Sequence, residues 1–302
     1  MPVPARSTRA LVEWLDGRGM DVTRIGGKAA SLDRLAGFGF RVPPGFCLTT
    51  AAFAEQVTTL PGADRLAEDP GILAEVGLRT ALMEAMQSGP LAPAVAACLA
   101  EPLERLTTGG ASGPDRPLRL AVRSSGVAED GAAASFAGLH DTELDLARDD
   151  VPAAILRCWA SLWSDRAIGY RSRRGLPLDG GAMAVVVQAL VPAVAAAVAF
   201  TRHPVTGRDD QIVVNAAPGL GEAMVSGLVT PDTIVVDKTS GTVVESTAGD
   251  QPGGPALTDS DLADLVRLCR EVERAFGAAV DIEAALAADG WYLLQARPIT
   301  TH

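Results

Sequence analysis

The chain has 302 residues, of which 48% are hydrophobic and 21% charged, so its composition is that of a globular protein rather than a disordered or fibrous one. Lys and Arg total 26 against 37 for Asp and Glu, and the net charge of −11 disfavours non-specific binding to nucleic acid or anionic lipid. The sequence starts without the apolar run of a signal peptide, and no stretch reaches the roughly 18 uninterrupted apolar residues of a membrane span. The four cysteines lack CxxC spacing, which indicates reduced thiols rather than a zinc site, and together these features predict a cytoplasmic protein.

The first half of the sequence predicts mostly helices. A helical pattern covers residues 11–15, and two glycines before Lys28 indicate a tight loop that leads into a further helix. Helical periodicity extends over residues 62–115, and alternating residues from Pro117 predict a strand followed by a loop of small polar residues. Residues 151–174 carry apolar side chains near one face, which predicts a single long helix.

The second half predicts strands joined by tight turns, with one long helix among them. Apolar runs predict buried strands at 184–190 and 195–200, a third strand starts at Gln211, and residues 233–246 predict a hairpin. A capped helix over residues 262–276 precedes two further antiparallel strands. This mixture of antiparallel hairpins and helices favours an α+β fold over a doubly wound parallel sheet.

The last two predicted strands carry the clearest candidate site. Asp281 and Glu283 are two residues apart, so they face one side of their strand, and the same holds for Gln295 and Arg297 on the next strand. If the two faces coincide, carboxylate and amide oxygens suited to Mg²⁺ lie beside a guanidinium suited to a phosphate. The alternative is a solvent-exposed hairpin face held by salt bridges, which is of equal weight on spacing alone.

Two basic residues in the first half are weaker candidates for phosphate binding. Lys28 follows a double glycine, whose backbone N–H groups can help anchor an anion, although the sequence lacks the spacing of a Walker A loop. Arg123 is expected to end a strand, where it could clamp a phosphate together with the hydroxyls of Ser124 and Ser125. The structural alternatives are a surface turn for the lysine and a loop-capping role for the arginine.

The remaining candidates lie in loops. Residues 135–142 are small and polar and could form a lid over phosphates or an ordinary mobile loop, in which His140 has no evident catalytic partner. Glu222 follows a glycine turn and could accept ribose hydroxyls, or it could be a helix N-terminal acid favoured by the helix dipole. His203 precedes a proline and is expected to be a structural loop residue, and His302 is the last residue of the sequence.

The chain carries a series of ordered blocks: Gly26-Gly-Lys-Ala-Ala-Ser-Leu, Val42-Pro-Pro-Gly-Phe, Val122-Arg-Ser-Ser, Ser135-Phe-Ala-Gly-Leu-His-Asp-Thr, Pro204-Val-Thr-Gly, Gly219-Leu-Gly-Glu-Ala-Met-Val-Ser-Gly, Thr230-Pro-Asp, Asp281-Ile-Glu and Gln295-Ala-Arg-Pro. Taken in order, these blocks resemble the N-terminal ATP-binding domain of the phosphoenolpyruvate synthase, pyruvate phosphate dikinase and rifampin phosphotransferase family, from about residue 20 to about residue 300.

The resemblance implies a two-lobed, ATP-grasp-like α+β fold with mixed, largely antiparallel sheets. It places an N-terminal lobe at residues 1–200 and a C-terminal lobe at residues 201–302, with ATP in the cleft of the fold. By position in the motifs, the ATP contacts are assigned to Lys28, Arg123, Ser135, Gly138, Thr142, Gln188, Glu222 and Arg297. Lys28, Arg123 and Arg297 are the residues assigned to catalysis, and Mg²⁺ is assigned to Glu283 and Gln295.

The function implied by the resemblance is that of an ATP-dependent, dikinase-type phosphotransferase subunit. It would bind Mg·ATP and pass a phosphoryl group either to a histidine of a separate swivelling-domain partner or directly to a small-molecule acceptor. No histidine of this sequence lies in the family's swivelling-domain motif, so the resemblance implies a stand-alone ATP-binding chain. Ala284 stands where the family has an aromatic residue, which is expected to widen the pocket wall.

Two other functions use the same type of fold. One is an ATP-grasp ligase that activates a carboxylate as an acyl phosphate, and the other is a non-catalytic regulatory protein that binds ATP. The charged set of Lys28, Arg123, Glu283, Gln295 and Arg297 favours catalysis over simple binding, and the nucleotide product would distinguish transfer to a histidine (AMP) from direct transfer (ADP).

Overall fold

The computed structural model describes residues 10–109, 118–127, 142–175, 182–225, 227–251 and 254–299. The chain forms two compact units: the first comprises Met1–Ala30 with Pro44–Leu190, and the second comprises Ser31–Pro43 with Val191–His302. These units differ in two places from the predicted lobes at 1–200 and 201–302. The second unit takes residues 31–43, and it begins before the strand at 195–200 because that strand pairs with later strands of the chain.

The first unit contains a five-stranded sheet with helices against it. Its strands are β1 (Val12–Trp14), β2 (Gly45–Leu48), β3 (Leu120–Gly126), β4 (Thr142–Leu146) and β5 (Met183–Ala189), in the spatial order β1-β2-β5-β3-β4. Its α-helices are α1 (Val22–Gly37, whose residues from Ser31 belong to the second unit), α2 (Thr50–Val57), α3 (Ala63–Glu68), α4 (Val76–Ser88), α5 (Pro93–Gly109), α6 (Val151–Ser161) and α7 (Asp165–Arg174). Two 3₁₀ turns lie at Pro70–Ala74 and Arg148–Asp150.

The hydrophobic core of the first unit lies on one face of this sheet. Alternate residues of the central strands, such as Val122 on β3 and Val185 on β5, pack with the buried Trp159 of α6. Because side chains alternate between faces, the residues between them, among them Arg123, point to the opposite face. On that opposite face Arg123 lies beside the buried apolar residues Ala184 and Val186.

Three local predictions for the first unit are wrong. Residues 12–14 form a strand rather than a helix, because they pair with β2. Arg123 lies in the middle of β3, not at its end, since pairing with β5 continues to Gly126. The single helix predicted over 151–174 is two helices, because Ser164 starts a new one and its Oγ accepts a hydrogen bond from the backbone N–H of Ala167.

The second unit contains a six-stranded sheet in the order β11-β10-β6-β7-β8-β9. Its strands are β6 (Ala195–Phe200), β7 (Gln211–Pro218), β8 (Asp232–Asp237), β9 (Val243–Thr247), β10 (Val280–Ala287) and β11 (Gly290–Pro298), and its helices are α8 (Glu222–Val225) and α9 (Asp259–Phe276). The capping box of Thr258 and Asp261 starts α9, whose apolar residues Leu265 and Cys269 pack on one face of the sheet. The predicted hairpins and the long helix of this region are confirmed.

The predicted α+β class is confirmed. Every strand pair of the described residues is antiparallel, so the sheets there are antiparallel rather than mixed. A search of the described residues for a helix with the length and apolar character needed to cross a membrane finds none.

Candidate functional site

The face of the first unit's sheet that lies opposite its hydrophobic core carries three of the residues singled out in the sequence. Arg123 on β3 lies directly opposite Thr142 on β4 and opposite Val186 on β5. Gln188 is two residues from Val186 and therefore shares its face. Gln188 is buried and Thr142 is exposed, so the two differ in their access to solvent. The structure thus brings these three side chains to one face, away from the hydrophobic core.

Lys28 is carried by a turn that opens the first part of α1. Gly26 has φ 72° and ψ 172°, which is not a helical conformation and interrupts the helix just before the lysine. The Ser125 hydroxyl donates to the Ile25 carbonyl at 2.8 Å and accepts from the Ala29 N–H at 3.1 Å. Ser125 belongs to β3, two residues from Arg123. Its two hydrogen bonds therefore fix the α1 backbone on both sides of Lys28 to this strand.

The hydroxyls of Ser124 and Ser125 do not support the phosphate clamp that the sequence predicts. The Ser125 hydroxyl already binds the α1 backbone in a buried position. Ser124 points to the core face with Val122 and is fully buried, and its Oγ has no hydrogen-bond partner among the described residues. This part of the prediction is wrong for two reasons: Ser124 faces the opposite side of the strand from Arg123, and the Ser125 hydroxyl is already bound to the α1 backbone.

In the second unit, the predicted convergence of the last two strands is confirmed. The register of β10 and β11 pairs Asp281 with Arg297 and Glu283 with Gln295. Gln295 is only 7% exposed, and the side chains of Asp281 and Arg297 are 13% and 35% exposed. The alternative of a solvent-exposed hairpin face is therefore excluded. The four residues form a partly buried polar patch.

The Arg297 guanidinium is held in place by Asp281. Its Nε and one terminal nitrogen lie 2.9 and 2.8 Å from Oδ2 of Asp281. Burial raises the pKa of the Asp281 carboxyl above its ordinary value, and the positive charge of Arg297 acts in the opposite direction. The other carboxylate oxygen, Oδ1, is buried without a hydrogen-bond partner among the described residues.

Two further polar residues, Asn215 and Thr233, lie in line with Glu283 across the sheet, and the sequence analysis did not single them out. Glu283 is in register with Val198 on β6, Val198 with Asn215 on β7, and Asn215 with Thr233 on β8. The Thr233 hydroxyl donates to the Asn215 side-chain carbonyl at 2.9 Å. An asparagine inside the apolar run of β7 was a visible signal, because a strand buried on both faces would carry only apolar residues.

Ser31 is a further site residue that the sequence did not reveal. Its hydroxyl donates to the Ala296 carbonyl at 2.5 Å and accepts from the Ala296 N–H at 3.1 Å. Ala296 lies between Gln295 and Arg297, so Ser31 fixes the backbone between these two candidate site residues. No signal in the sequence pointed to Ser31, because the burial of a hydroxyl cannot be read from the chain.

The other sequence-predicted residues are less informative. Glu222 is exposed and begins α8, just after the positive-φ Gly219. Ser135, Gly138 and His140 lie outside the described residues, as does His302.

Two expectations about loop and pocket residues have clear outcomes. The structural role of His203 is confirmed, because its Nδ1 accepts hydrogen bonds from the backbone N–H groups of Val205 and Thr206 at 3.2 Å. The expectation that Ala284 widens the pocket wall is wrong. Ala284 is 2% exposed and packs in the core on the opposite face of the sheet from Glu283.

Glu283 and Gln295 carry oxygens of the type that could hold a magnesium ion together with a phosphate ligand. No cluster of three or more His, Cys, Asp or Glu side chains able to hold a metal occurs in the described part of the chain. Mg²⁺ does not need such a cage, since it is usually held by one or two protein oxygens together with phosphate oxygens and water. Glu283 and Gln295, opposite each other on β10 and β11, offer one carboxylate and one amide oxygen.

Comparison with known proteins identifies the family. Residues 22–253 match the pyruvate phosphate dikinase AMP/ATP-binding domain. The chain belongs to this family. The matched range includes Lys28, Arg123, Gln188 and Glu222.

Relatives of this AMP/ATP-binding domain are much longer than the matched segment. The chain is 38% identical to the prodigiosin synthesizing transferase PigC of Serratia marcescens, over 96% of this chain and 33% of that protein. It is 38% identical to a rifampicin phosphotransferase of a Streptomyces species, over 98% of this chain and 36% of that protein. It is 35% identical to a probable phosphoenolpyruvate synthase of Methanothermobacter thermautotrophicus, over 93% of this chain and 44% of that protein. The chain thus spans between a third and a half of the length of these curated relatives.

Among solved structures, D-alanyl-alanine synthetase A of Vibrio cholerae is similar over 91% of this chain and 58% of that chain, with 12% identity and a TM-score of 0.34. A likeness this distant adds nothing about the site.

Proposed function

We propose that this chain is the ATP-binding part of a dikinase-type phosphotransferase with an ATP-grasp-like fold. It binds Mg·ATP and transfers a phosphoryl group to an acceptor outside its own 302 residues. The acceptor is either a histidine of a swivelling domain or a small molecule. Family membership supports the nucleotide, and the names of the relatives, a rifampicin phosphotransferase and a probable phosphoenolpyruvate synthase, support the reaction class.

The observation that carries the proposal is the register of β10 and β11. It sets the oxygens of Glu283 and Gln295 beside the guanidinium of Arg297. In the proposed site, Glu283 and Gln295 hold Mg²⁺, which neutralises phosphate charge when bound. Asp281 fixes the orientation of Arg297, so that the guanidinium is already positioned for the charge that develops on the transferring phosphoryl group.

The proposal includes two further cationic side chains. Lys28 and Arg123 bind ATP phosphates, together with Thr142 at the start of β4. The adenine is assigned to Gln188, which is buried in β5, and the ribose is assigned to Glu222. Phosphoryl transfer needs little covalent chemistry from the protein, so positioning and charge neutralisation supply most of the rate.

The sequence offers a direct test of the lysine assignment, because it contains only two lysines, Lys28 and Lys238. An acyl-phosphate derivative of ATP acylates lysines that lie beside its terminal phosphates. We expect Mg²⁺-dependent labelling of Lys28 that excess ATP suppresses. Lys238 is an internal control, since its Nζ is 2.9 Å from Glu273 Oε1 and its side chain is 17% exposed.

Lys28→Ala should weaken Mg·ATP binding at least tenfold, and this loss of affinity corresponds to about 1.4 kcal/mol. Equal labelling of both lysines, or an unchanged affinity of the variant, would remove Lys28 from the site. Incubation with labelled ATP and candidate acceptors then separates the two transfer routes, since AMP indicates a histidine relay and ADP indicates direct transfer. A chain that binds no adenine nucleotide in the presence of Mg²⁺ would refute the proposed function.

A further inference from the structure

The Ser125 hydroxyl occupies an unusual place in helix α1. In an uninterrupted α-helix the N–H of residue 29 would donate to the carbonyl of residue 25, four positions earlier. Here the Ser125 hydroxyl stands between these two groups, donating to the Ile25 carbonyl at 2.8 Å and accepting from the Ala29 N–H at 3.1 Å. The Ser125 side chain on β3 therefore connects two backbone groups that would bond directly to each other in a continuous α-helix.

Ile25 and Ala29, the two residues bound by the Ser125 hydroxyl, lie on either side of the segment that carries Lys28. Gly26, with φ 72° and ψ 172°, provides the backbone conformation at which the helix is interrupted. Groups inserted into the i to i−4 ladder are a known cause of local helix distortion, and they keep a turn open when both of the freed backbone groups are satisfied. Ser125 is fully buried, so water does not compete for either hydrogen bond.

Ser125 also connects two elements of the proposed phosphate site. It lies two residues after Arg123 on β3, with its side chain on the same face of the sheet. The hydroxyl thus ties the Lys28 turn to the strand that carries Arg123.

We propose that Ser125 is a positioning residue, which holds the turn of Gly26–Lys28 open and fixes Lys28 relative to Arg123. The expected effect on Mg·ATP binding rests on the proposed function, whereas the effect on the conformation of α1 does not. The Ser125 hydroxyl does not bind phosphate itself and acts by positioning Lys28.

Ser124 provides a matched control. It is adjacent in the same strand and equally buried, but its hydroxyl has no hydrogen-bond partner in the described ranges. Ser125→Ala and Ser124→Ala therefore remove the same atom from neighbouring buried positions, and only the first removes contacts with α1. Ser125→Thr retains the hydroxyl and tests whether it is sufficient.

The experiment measures hydrogen exchange and Mg·ATP binding on the 302-residue chain. In Ser125→Ala we expect exchange of the Ala29 amide to become at least tenfold faster, while amides of α6 stay as protected as in the unchanged chain. We expect Mg·ATP affinity to fall at least fivefold, with recovery in Ser125→Thr and no change in Ser124→Ala. In a Lys28→Ala background, Ser125→Ala should change affinity less than twofold, because residues that act as one unit are not additive.

The outcomes separate this inference from the proposed function. Unchanged exchange at Ala29 in Ser125→Ala would overturn the positioning role, whatever the chain binds. A fivefold loss of affinity that persists without Lys28 would also overturn it, since Ser125 would then act by another route. Failure of the unchanged chain to bind Mg·ATP would overturn the proposed function together with the ligand part of this inference, and the exchange result would still decide the structural part. If Ser125→Ala lowers protection throughout the first unit, Ser125→Thr decides: restored protection at Ala29 supports the role, and its continued loss overturns it.

Discussion

Replacing Gly26 by alanine tests the geometry on which the Lys28 turn depends. The backbone at Gly26, with φ 72° and ψ 172°, lies in a region that is essentially limited to glycine, and a residue with a side chain there costs about 1–3 kcal/mol. A Cβ at this position would also lie 2.5 Å from the carbonyl carbon of Ser125 and nearer still to its oxygen. These are buried backbone atoms that cannot rotate away, so overpacking adds about 1–3 kcal/mol. Together, Gly26→Ala should lower the free energy of unfolding by about 2–6 kcal/mol, a large part of the 5–15 kcal/mol typical of a folded domain.

The control is Gly62→Ala in the same unit. Gly62 also has a positive φ, of 85°, but a Cβ there would meet no atom within 4 Å, so only the backbone cost of about 1–2 kcal/mol applies. Urea unfolding followed by tryptophan fluorescence suits the comparison, because Trp159 and Trp163 are buried in the first unit. If Gly26→Ala loses no more stability than Gly62→Ala, the close approach of α1 to β3 and the turn that carries Lys28 are both refuted.

Three further predictions concern the metal and the thiols. Glu283→Ala should abolish Mg²⁺-dependent turnover while weakening nucleotide binding far less, because the carboxylate is proposed to act through the metal; a variant with full activity would exclude this role. Burial raises the pKa of Cys98 and raises that of Cys269 to about 12. Because Cys98 is only half-buried, at pH 8 it should react with a disulfide reagent faster than the buried Cys47, Cys158 and Cys269, which should react only after unfolding. Because the pKa of Cys269 is higher in the folded than in the unfolded state, its contribution to stability is complete below the unfolded thiol pKa of about 8.5 and is lost as pH rises toward 12. Urea titrations of the unchanged chain and of Cys269→Ala at several pH values would measure this loss.

Local patterns in the sequence predicted the last hairpin and the long helix of the second unit. The period-2 spacing of Asp281 and Glu283, and of Gln295 and Arg297, predicted that these residues share a face, and the register of β10 and β11 confirms it. The N-cap at Thr258 predicted the start of α9 within three residues. Such features depend on neighbours in the chain, so they can be read before the fold is known.

The sequence also determined the family and the α+β class, because ordered motifs and the alternation of strands and helices are written along the chain. Tertiary pairing decided the rest. Residues 12–14 form a strand only because β2 lies beside them, and Arg123 is central in β3 only because β5 pairs beyond it. The bridge from Ser125 to α1 spans 100 residues of sequence and could not be predicted, since a buried serine has no pattern of its own and the groups it binds are backbone atoms.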